Sequence, residues 1–264
     1  MKAPNKSSNK NSGSNVGTET IYGLHPVRVL LERHPERVLT IRLTDRRDDP
    51  RAKEIEDLAR KEGRPVQRVD ANALKHALGD VAHQGIMAEI SPLRPWSEDD
   101  LFDALQTAKD PLLLALDGVQ DPHNLGACLR TADACGALAV IVPRDRAAQV
   151  NATVRKVAVG AAETTPVVAV TNLVRTLKLL KEASLWIVGA DADGEKQAHE
   201  ADLKGGTVLV LGAEGAGLRH LTKQNCDWMV RLPQLGTVES LNVSVAAGML
   251  LYEAVRQRTV PAAR

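Results

Sequence analysis

Aromatic residues make up only 2% of the 264-residue chain. Proteins that recognise RNA by stacking bases on exposed rings, such as RNA-recognition motifs and OB folds, need several such residues, so this scarcity argues against a base-stacking platform. Net charge is also close to zero, because 34 basic residues face 33 acidic ones. That balance neither supports nor excludes nucleic-acid binding, since a local basic patch can exist within a neutral total.

Cysteine is scarce as well, with only Cys128, Cys135 and Cys226 in the chain. An odd number provides no disulfide framework and no pair has the spacing of metal ligands, so we predict reduced thiols and no metal site. No apolar run is long enough to span a bilayer, and the N-terminus is polar. We therefore expect a cytoplasmic protein without a signal peptide or a membrane partner.

Shifts in composition divide the chain. Residues 1–18 are rich in Ser, Asn, Lys and Gly and carry too little apolar surface to fold, which predicts a disordered tail. Strand and helix patterns over 19–92 indicate a small α/β domain, and prolines with an acidic run mark a linker over 93–109. A larger domain covers 110–258, and residues 259–264 form a second tail.

The larger domain alternates strand patterns with helix patterns. Residues 112–116 form a continuous apolar run, which is typical of a strand buried on both faces. Further strand patterns cover 138–142, 166–170, 185–189, 207–211 and 229–232. This alternation predicts an α/β fold with a mostly parallel sheet between helices. Ligands bind such sheets at the carboxyl ends of the strands, so the loops after Leu116, Leu211 and Leu232 are the candidate binding loops.

The loop after Leu116 contains Asn124 and leads into a predicted helix. Asn124 is suited to cap that helix, and this structural role alone explains its presence. Arg130 lies six residues further on (130 − 124). It is either a solvated surface charge or a planar fork that grips a phosphate.

The loop after Leu211 is rich in glycine and carries Glu214. Its glycines fall as G-x-x-G-x-G, whereas dinucleotide-binding loops have G-x-G-x-x-G. Glu214 would repel a pyrophosphate, and no acidic residue that could bind a ribose follows about twenty residues later. The pattern therefore disfavours a NAD or phosphate site. A plain turn explains the glycines, whereas the carboxylate is suited to organise neighbouring amides or an arginine.

The loop after Leu232 contains Ser240 and Asn242 and runs directly into a long amphipathic helix. Ser240 is a good N-cap for that helix. Asn242 is a poor helix former with nothing local to gain there, which favours a role in a ligand site or reaction centre. Three small, polar loops at one edge of a parallel sheet form a candidate pocket.

These loops carry a family resemblance. Asn124-x-Gly-x-x-x-Arg130, Leu211-Gly-Ala-Glu-Gly-x-Gly217 and Leu232-Pro-x-x-Gly-x-x-x-Ser-Leu-Asn242 resemble the three motifs of the SpoU (TrmH) RNA ribose 2′-O-methyltransferases. The resemblance covers the whole chain, because Tyr22-Gly-Leu-His-Pro and His83-Gln-Gly-Ile in the first domain look like the family's small L30e-like RNA-binding domain.

The resemblance implies a C-terminal SPOUT domain with a deep trefoil knot, although true knots are nearly absent from other folds. It also implies that S-adenosylmethionine binds in a bent form, largely through backbone groups of four residues. These cofactor-binding residues are expected to be Leu211, Gly212, Leu232 and Leu241. Family members are homodimers in which the C-terminal helix contributes to the interface. The apolar stripe of that helix fits either the interface or burial within one subunit.

The activity implied is 2′-O-methylation of a guanosine ribose in 23S ribosomal RNA or its precursor, at guanosine 2251 of the peptidyl-transferase loop. Arg130 would clamp a phosphate and stabilise charge, because an arginine is fully protonated and makes a poor unaided base. The residues expected to orient Arg130 and the ribose are Asn124, Glu214, Ser240 and Asn242. The reaction itself selects RNA over DNA, since only RNA has a 2′-hydroxyl. Basic residues of the first domain either hold RNA or form a solvated face: Arg28, Arg42, Arg46 and Arg47.

Other interpretations stay open at this point. Related enzymes with the same loops act on transfer RNA, so another ribosomal site or a transfer RNA is an alternative substrate. The chain is also compatible with an RNA-binding module that has lost catalysis, although intact loops at all three positions argue against it. A Rossmann-type oxidoreductase is disfavoured by the order of the glycines and by Glu214.

Overall fold

The computed structural model describes residues 18–45, 49–91, 95–237 and 240–259, and the chain divides into two compact units, Met1–Leu93 and Arg94–Arg264. The expected N-terminal tail up to residue 17, Arg46, Arg47 and the tail beyond residue 259 lie outside the described residues. Within the described ranges, no helix combines the length and apolar character needed to cross a membrane.

The first unit folds around a four-stranded mixed sheet. Its elements are β1 (Glu19–Tyr22), α1 (Leu24–Arg33), β2 (Val38–Thr44), α2 (Pro50–Lys61), β3 (Val66–Val69), α3 (Ala71–Leu78) and β4 (Ile86–Ile90). The strand order is β1-β4-β2-β3, with β4 antiparallel to both neighbours and β2 parallel to β3. Asp49 and Asp70 cap α2 and α3 by accepting from backbone N–H groups. The unit is the small α/β domain that the sequence predicts.

The second unit alternates strands and helices. Its elements are α4 (Glu98–Leu105), β5 (Leu112–Asp117), α5 (Pro122–Ala134), β6 (Ala139–Pro143), α6 (Ala152–Ala158), β7 (Val167–Val170), α7 (Leu173–Glu182), β8 (Trp186–Ala190), β9 (Lys196–Gln197), β10 (Thr207–Gly212), α8 (His220–Gln224), β11 (Trp228–Arg231) and α9 (Val243–Thr259). The strands form a seven-stranded sheet in the order β7-β6-β5-β10-β8-β11-β9. Every neighbouring pair is parallel, which confirms the predicted fold class. The trefoil knot stays a prediction.

Helices cover both faces of this sheet, so its strands are buried on both sides. One core lies under α5, α6 and α9, where Leu125, Leu129 and Leu251 pack against the sheet. The other lies under α4 and α7, through Leu101 and Leu177. Continuous apolar strands such as β5 follow directly from this burial.

The direction of the chain across the sheet reverses next to β5. From β5 the chain moves outward through β6 and β7, and it then returns to β8 on the far side of β10. The carboxyl ends of β5 and β10 are in register, with Gly212 opposite Asp117. Such a reversal leaves a crevice beyond the carboxyl ends of the central strands, and ligands bind there in open α/β sheets.

Two helix starts differ from the prediction. Helix α5 begins at Pro122 and its cap is Asp121, which accepts from the N–H of His123, so Asn124 is a buried first-turn residue and not the cap. Helix α9 begins at Val243, and Asn242, not Ser240, accepts from the N–H of Ser244. Asn242 is therefore in the N-cap position and does have a local structural role.

The apolar stripe of α9 is used inside the protomer. Its buried members are Val243, Ala247, Leu250, Leu251 and Ala254. They join the core that also contains α5, which supports burial within one subunit as the role of this stripe. A different face of the helix remains exposed and carries Val245, Met249 and Tyr252.

Candidate active site

A cavity of about 300 Å³ opens at the carboxyl edge of the large sheet. Its walls come from the segments that follow β8, β10 and β11 and from the start of α9. The four residues expected to bind the cofactor all line it, namely Leu211, Gly212, Leu232 and Leu241. The volume lies at the lower end of the range for small-molecule sites.

Main-chain atoms form much of one wall, because the loop after β10 folds back on itself. The N–H of Gly217 donates to the carbonyl of Ala213 at 2.9 Å. A side chain at Gly212 would place its Cβ only 2.0 Å from the carbonyl carbon of Gly217, so only glycine fits there. Gly217 itself has φ +64°, which favours glycine. The unusual order of glycines thus serves this closed turn.

Three of the predicted catalytic residues form one hydrogen-bonded cluster beside the cavity. Asn124 Nδ2 donates to Glu214 Oε1 at 2.9 Å. Asn242 Nδ2 donates to Asn124 Oδ1 at 3.0 Å and to Glu214 Oε1 at 2.6 Å. Each residue therefore contacts the other two, although the three lie far apart in the sequence. The cluster fixes the start of α5, the loop after β10 and the start of α9 in one arrangement.

Asn242 also connects this cluster to α9. Its Oδ1 accepts from the backbone N–H of Ser244 at 2.9 Å and from the Ser244 hydroxyl at 2.6 Å. The amide nitrogen of Asn242 thus holds the cluster while its amide oxygen caps the helix. An asparagine is required for this pair of roles, because it offers a donor and an acceptor on one planar group.

The other two predicted catalytic residues lie apart from the cluster. Ser240 lines the cavity. Arg130 is exposed on α5 and makes no hydrogen bond or ion pair with any part of the chain that the structure describes. Six residues along a helix correspond to a rise of about 9 Å and a rotation of about 240° from Asn124. The structure therefore does not bring Arg130 against Asn124, Glu214 or Asn242 within one protomer.

Asp191 is a cavity residue that the sequence analysis missed. It follows β8 directly and lines the cavity. Its Oδ2 lies 2.5 Å from Lys223 Nζ, and its Oδ1 accepts from the N–H of Asp193 at 3.1 Å. Burial alone would raise the pKa of Asp191, but the hydrogen bonds from Lys223 and Asp193 outweigh it and lower the pKa below its usual value. The carboxylate is therefore ionised near neutral pH.

Asp117 is a second carboxylate that the sequence analysis missed. It is fully buried at the end of β5, where its Oδ2 accepts from the N–H of Arg219 at 3.0 Å. The Arg219 guanidinium lies 3.5 Å from Oδ1. Because Arg219 follows the glycine-rich loop, this contact ties the far end of that loop to β5.

Two basic residues of the first unit already have acidic partners. Arg28 contacts Glu32 and Glu54, and Arg42 contacts Glu89 at 2.7 Å. These contacts favour the interpretation of both arginines as part of a solvated, ion-paired face. Across the described parts of both units, no group of three His, Cys, Asp or Glu side chains is arranged to hold a metal ion.

Solved structures place this architecture in a class. The SpoU methyltransferase AviRb from Streptomyces viridochromogenes matches with a TM-score of 0.76 and 25% identity over 95% of this chain and 93% of its own. The same protein in complex with AdoMet matches with a TM-score of 0.75 and 26% identity over 95% of this chain and 94% of its own. The fold is thus that of a SPOUT methyltransferase.

The sequence places the chain in a family within that class. Residues 111–252 match the model of the SpoU rRNA Methylase family, and residues 20–96 match the model for RNA 2′-O ribose methyltransferase substrate binding. The chain belongs to the SpoU rRNA methylase family. It is 54% identical over 242 residues to the 23S rRNA (guanosine-2′-O-)-methyltransferase RlmB of Pseudomonas aeruginosa, covering 91% of this chain and 97% of that protein. The protein of the same name from Escherichia coli K12 is 47% identical, covering 92% of this chain and all of its relative.

Proposed function

We propose that this protein transfers a methyl group from S-adenosylmethionine to the ribose 2′-hydroxyl of a guanosine in 23S ribosomal RNA. The observation that carries the proposal is the cluster of Asn124, Glu214 and Asn242 next to the cavity after β10. It joins all three family motifs at one point. Relatives of nearly equal length that bear this activity in their names support the choice of substrate.

The cavity fits the cofactor in shape and chemistry. Small residues of the closed turn leave peptide groups accessible, and Leu211, Leu232 and Leu241 supply apolar surface for a purine ring. The carboxylate of Glu214 lines the cavity and, within the described residues, is paired with two amides and not with a cation, which suits a ligand that carries a net positive charge. When bound, S-adenosylmethionine supplies a methyl group on a sulfonium, whose thioether is a good leaving group.

The protein's own task is to align the acceptor hydroxyl and to stabilise charge around it. The cluster provides a rigid edge for this, because Asn124 is buried and Glu214 Oε1 accepts from two amides at once. Ser240 presents a hydroxyl at the cavity. Arg130 is exposed and unpaired within the described residues, so its fork is available to an RNA phosphate.

RNA is selected by the reaction, since only RNA carries the 2′-hydroxyl. We further propose guanosine 2251 of 23S ribosomal RNA as the modified nucleotide, with residues 19–92 holding the substrate and residues 110–258 carrying out methyl transfer. We place this methylation in the cytoplasm, where ribosomes are assembled. In this proposal the protein is a homodimer. Its interface is the exposed face of α9, which is formed by Val245, Met249 and Tyr252.

Replacing Arg130 by alanine tests the active site. We expect Arg130→Ala to lower methylation of 23S ribosomal RNA by at least a hundredfold, because the phosphate contact is lost, while the affinity for S-adenosylmethionine stays within twofold. Tritiated methyl transfer and calorimetry measure the two quantities. Arg130→Lys is the matched variant: it keeps the charge but loses the bidentate fork, and it should show intermediate activity.

Full activity of Arg130→Ala would remove this residue from the mechanism. Failure of the wild-type protein to bind S-adenosylmethionine would overturn the proposed function itself. Mapping 2′-O-methyl groups in RNA from cells with and without the gene then identifies the nucleotide, and a site that returns only with the active gene is the substrate.

A transfer RNA is the second candidate substrate. The A. aeolicus TrmH/SpoU tRNA modifying enzyme is 32% identical, with a TM-score of 0.52, but the match covers only 61% of this chain. Loss of a methyl group from a transfer RNA in the same mapping experiment would favour this alternative. Its smaller coverage is the reason for placing ribosomal RNA first.

A further inference from the structure

Asp191 occupies a position with a known counterpart in nucleotide-binding sheets. The glycine-rich loop follows β10, and Asp191 follows β8, the parallel neighbour of β10. In doubly wound sheets that bind dinucleotides, an acidic residue that follows the glycine-rich loop by about twenty positions hydrogen-bonds the ribose. Here Asp191 precedes the glycine-rich loop in the chain by 21 residues (212 − 191). A search for an acidic residue after that loop therefore does not find it.

The Asp191 carboxylate is held in a fixed orientation. Lys223 contacts Oδ2 at 2.5 Å, and the backbone N–H of Asp193 donates to Oδ1 at 3.1 Å. Each carboxylate oxygen has two lone pairs, so both oxygens keep acceptor capacity for a further donor. Lys223 also balances the negative charge, so the group acts through directed hydrogen bonds more than through long-range attraction.

The second carboxylate at the cavity has other partners. Glu214 Oε1 already accepts from Asn124 and Asn242. Among the described residues that line the cavity, Asp191 is thus the carboxylate outside the catalytic cluster. A pair of adjacent hydroxyls is the natural complement of a carboxylate that offers two acceptor oxygens side by side.

The order of the strands separates Asp191 from the reacting end of the site. Asn124 follows β5 and Asp191 follows β8, with β10 between them. Two strand spacings of about 4.8 Å place the two loops about 10 Å apart along the sheet edge. Asp191 is therefore suited to hold a part of the ligand that does not react.

We propose that Asp191 accepts hydrogen bonds from the 2′- and 3′-hydroxyls of the adenosine ribose of the methyl donor. This inference rests on the proposed function, because it requires an adenosine-containing ligand in the cavity. It makes Asp191 a cofactor-binding residue and Lys223 a residue that positions it.

Calorimetry with S-adenosylhomocysteine tests the inference without any turnover. We expect Asp191→Ala and the nearly isosteric Asp191→Asn to weaken binding by about 10-fold to 100-fold, the usual cost of losing a charge-assisted hydrogen bond. Asp193→Asn is the matched control: its side chain is exposed, it lies outside the cavity lining, and its backbone N–H is unchanged, so its affinity should equal that of the wild type.

Analogues of S-adenosylhomocysteine that lack the 2′- or 3′-hydroxyl provide the second arm. The wild type should bind each deoxy analogue more weakly, whereas Asp191→Ala should bind it as well as the parent compound, because the missing hydroxyl has no partner left to lose. If Asp191→Ala weakened the binding of the parent compound and of the deoxy analogues by the same factor, Asp191 would contact another group of the ligand, such as the ammonium. That result would overturn the inference.

The inference and the proposed function fail in different ways. Wild-type affinity in both Asp191 variants would overturn the inference and leave the function intact. Absence of S-adenosylhomocysteine binding by the wild-type protein would overturn both. Thermal melting confirms that each variant is folded, and Asp191→Asn keeps the test valid if the alanine variant is unstable.

Discussion

At the scale of single residues, Asn242 illustrates how one side chain joins a helix cap to a hydrogen-bonded cluster. Its amide oxygen caps α9 and its amide nitrogen holds Asn124 and Glu214. The two roles use opposite ends of the same amide group. They can therefore be separated by a substitution that changes only one end.

Substitutions of Asn242 should separate the two roles. Asn242→Ala removes both, so we expect a loss of about 1 kcal/mol in the free energy of unfolding and a large loss of activity. Asn242→Asp keeps a good cap but places a second carboxylate against Glu214, so activity should be lost, and any loss of stability should come from this like-charge contact and not from the helix cap. Urea denaturation and methyl transfer measure these effects; an active Asn242→Asp variant would show that the cluster is not required.

The sequence predicts several of the site's residues but not all of their roles. Glu214 stands out because a plain turn explains the glycines around it but not the carboxylate, and Asn242 because it is a poor helix former, whereas the sequence explains Asn124 as a helix cap. The sequence favours Ser240 as the cap of α9, since serine is common at helix starts and a pattern locates the start of a helix only to within a few residues. Asp191 escaped notice because its importance depends on which strand lies beside β10, which a linear pattern does not contain.

At the scale of elements, α9 has two apolar sides. One is buried in the protomer, and the other exposes Val245, Met249 and Tyr252, with Met249 four residues after Val245 and three before Tyr252. This spacing places the three side chains on one face of the helix. Exposed apolar residues grouped in this way mark an interaction surface.

A charge on this face should weaken the proposed dimer. We expect Met249→Glu to raise the dimer dissociation constant by at least tenfold, because a carboxylate would be buried between apolar groups. Leu221→Glu is the control, since Leu221 is 61% exposed and lies on a different helix, α8. Analytical ultracentrifugation measures both variants. An unchanged dissociation constant for Met249→Glu would exclude this face as the interface.

Elements with a strong pattern are those that the sequence predicts. Continuous apolar strands such as β5 and amphipathic helices such as α7 are recognised because their burial is periodic or complete. By contrast, β9 consists of two polar residues that pair with β11, and the five-residue α8 has no apolar stripe of its own. Their conformation depends on neighbours that are distant in the sequence.

At the scale of the whole molecule, one buried thiol and one partly buried thiol link stability to pH. Burial raises the pKa of Cys128 to about 12, and burial with nearby Asp227 and Asp117 raises the pKa of Cys226 to about 12 against the opposing effect of Lys181. In the unfolded chain a thiol has a pKa of about 8.5. Above that pH the unfolded chain loses protons that the folded protein retains, so alkaline pH favours unfolding.

The contribution of Cys128 is therefore intact below about pH 8.5 and declines as the pH rises toward 12. We expect the free energy of unfolding to fall between pH 8.5 and pH 10.5 by about 2 kcal/mol more in the wild type than in Cys128→Ala. Urea denaturation at several pH values measures the slopes, and the baseline cost of the substitution cancels in this comparison. Parallel slopes would show that the thiol ionises freely in the folded state.

The fold class of the whole molecule follows from the sequence, whereas the order of the strands does not. Alternating strands and helices require a parallel sheet, and the seven-stranded sheet confirms it. The position of β10 between β5 and β8 depends on connections that no local pattern specifies. That position of β10 creates the crevice and places the loop that carries Glu214 between the segments that follow β5 and β11.

The closed turn after β10 has a consequence for inhibitors that mimic the methyl donor. Much of the surface they would touch consists of peptide groups around Gly212 and Gly217, and a point mutation cannot delete a peptide group. A Cβ at Gly212 would collide with the backbone and damage the binding of the natural ligand too. Resistance mutations against such a compound are thus confined to the few side chains at the cavity, and a compound that avoids those side chains leaves few positions at which a substitution could weaken its binding.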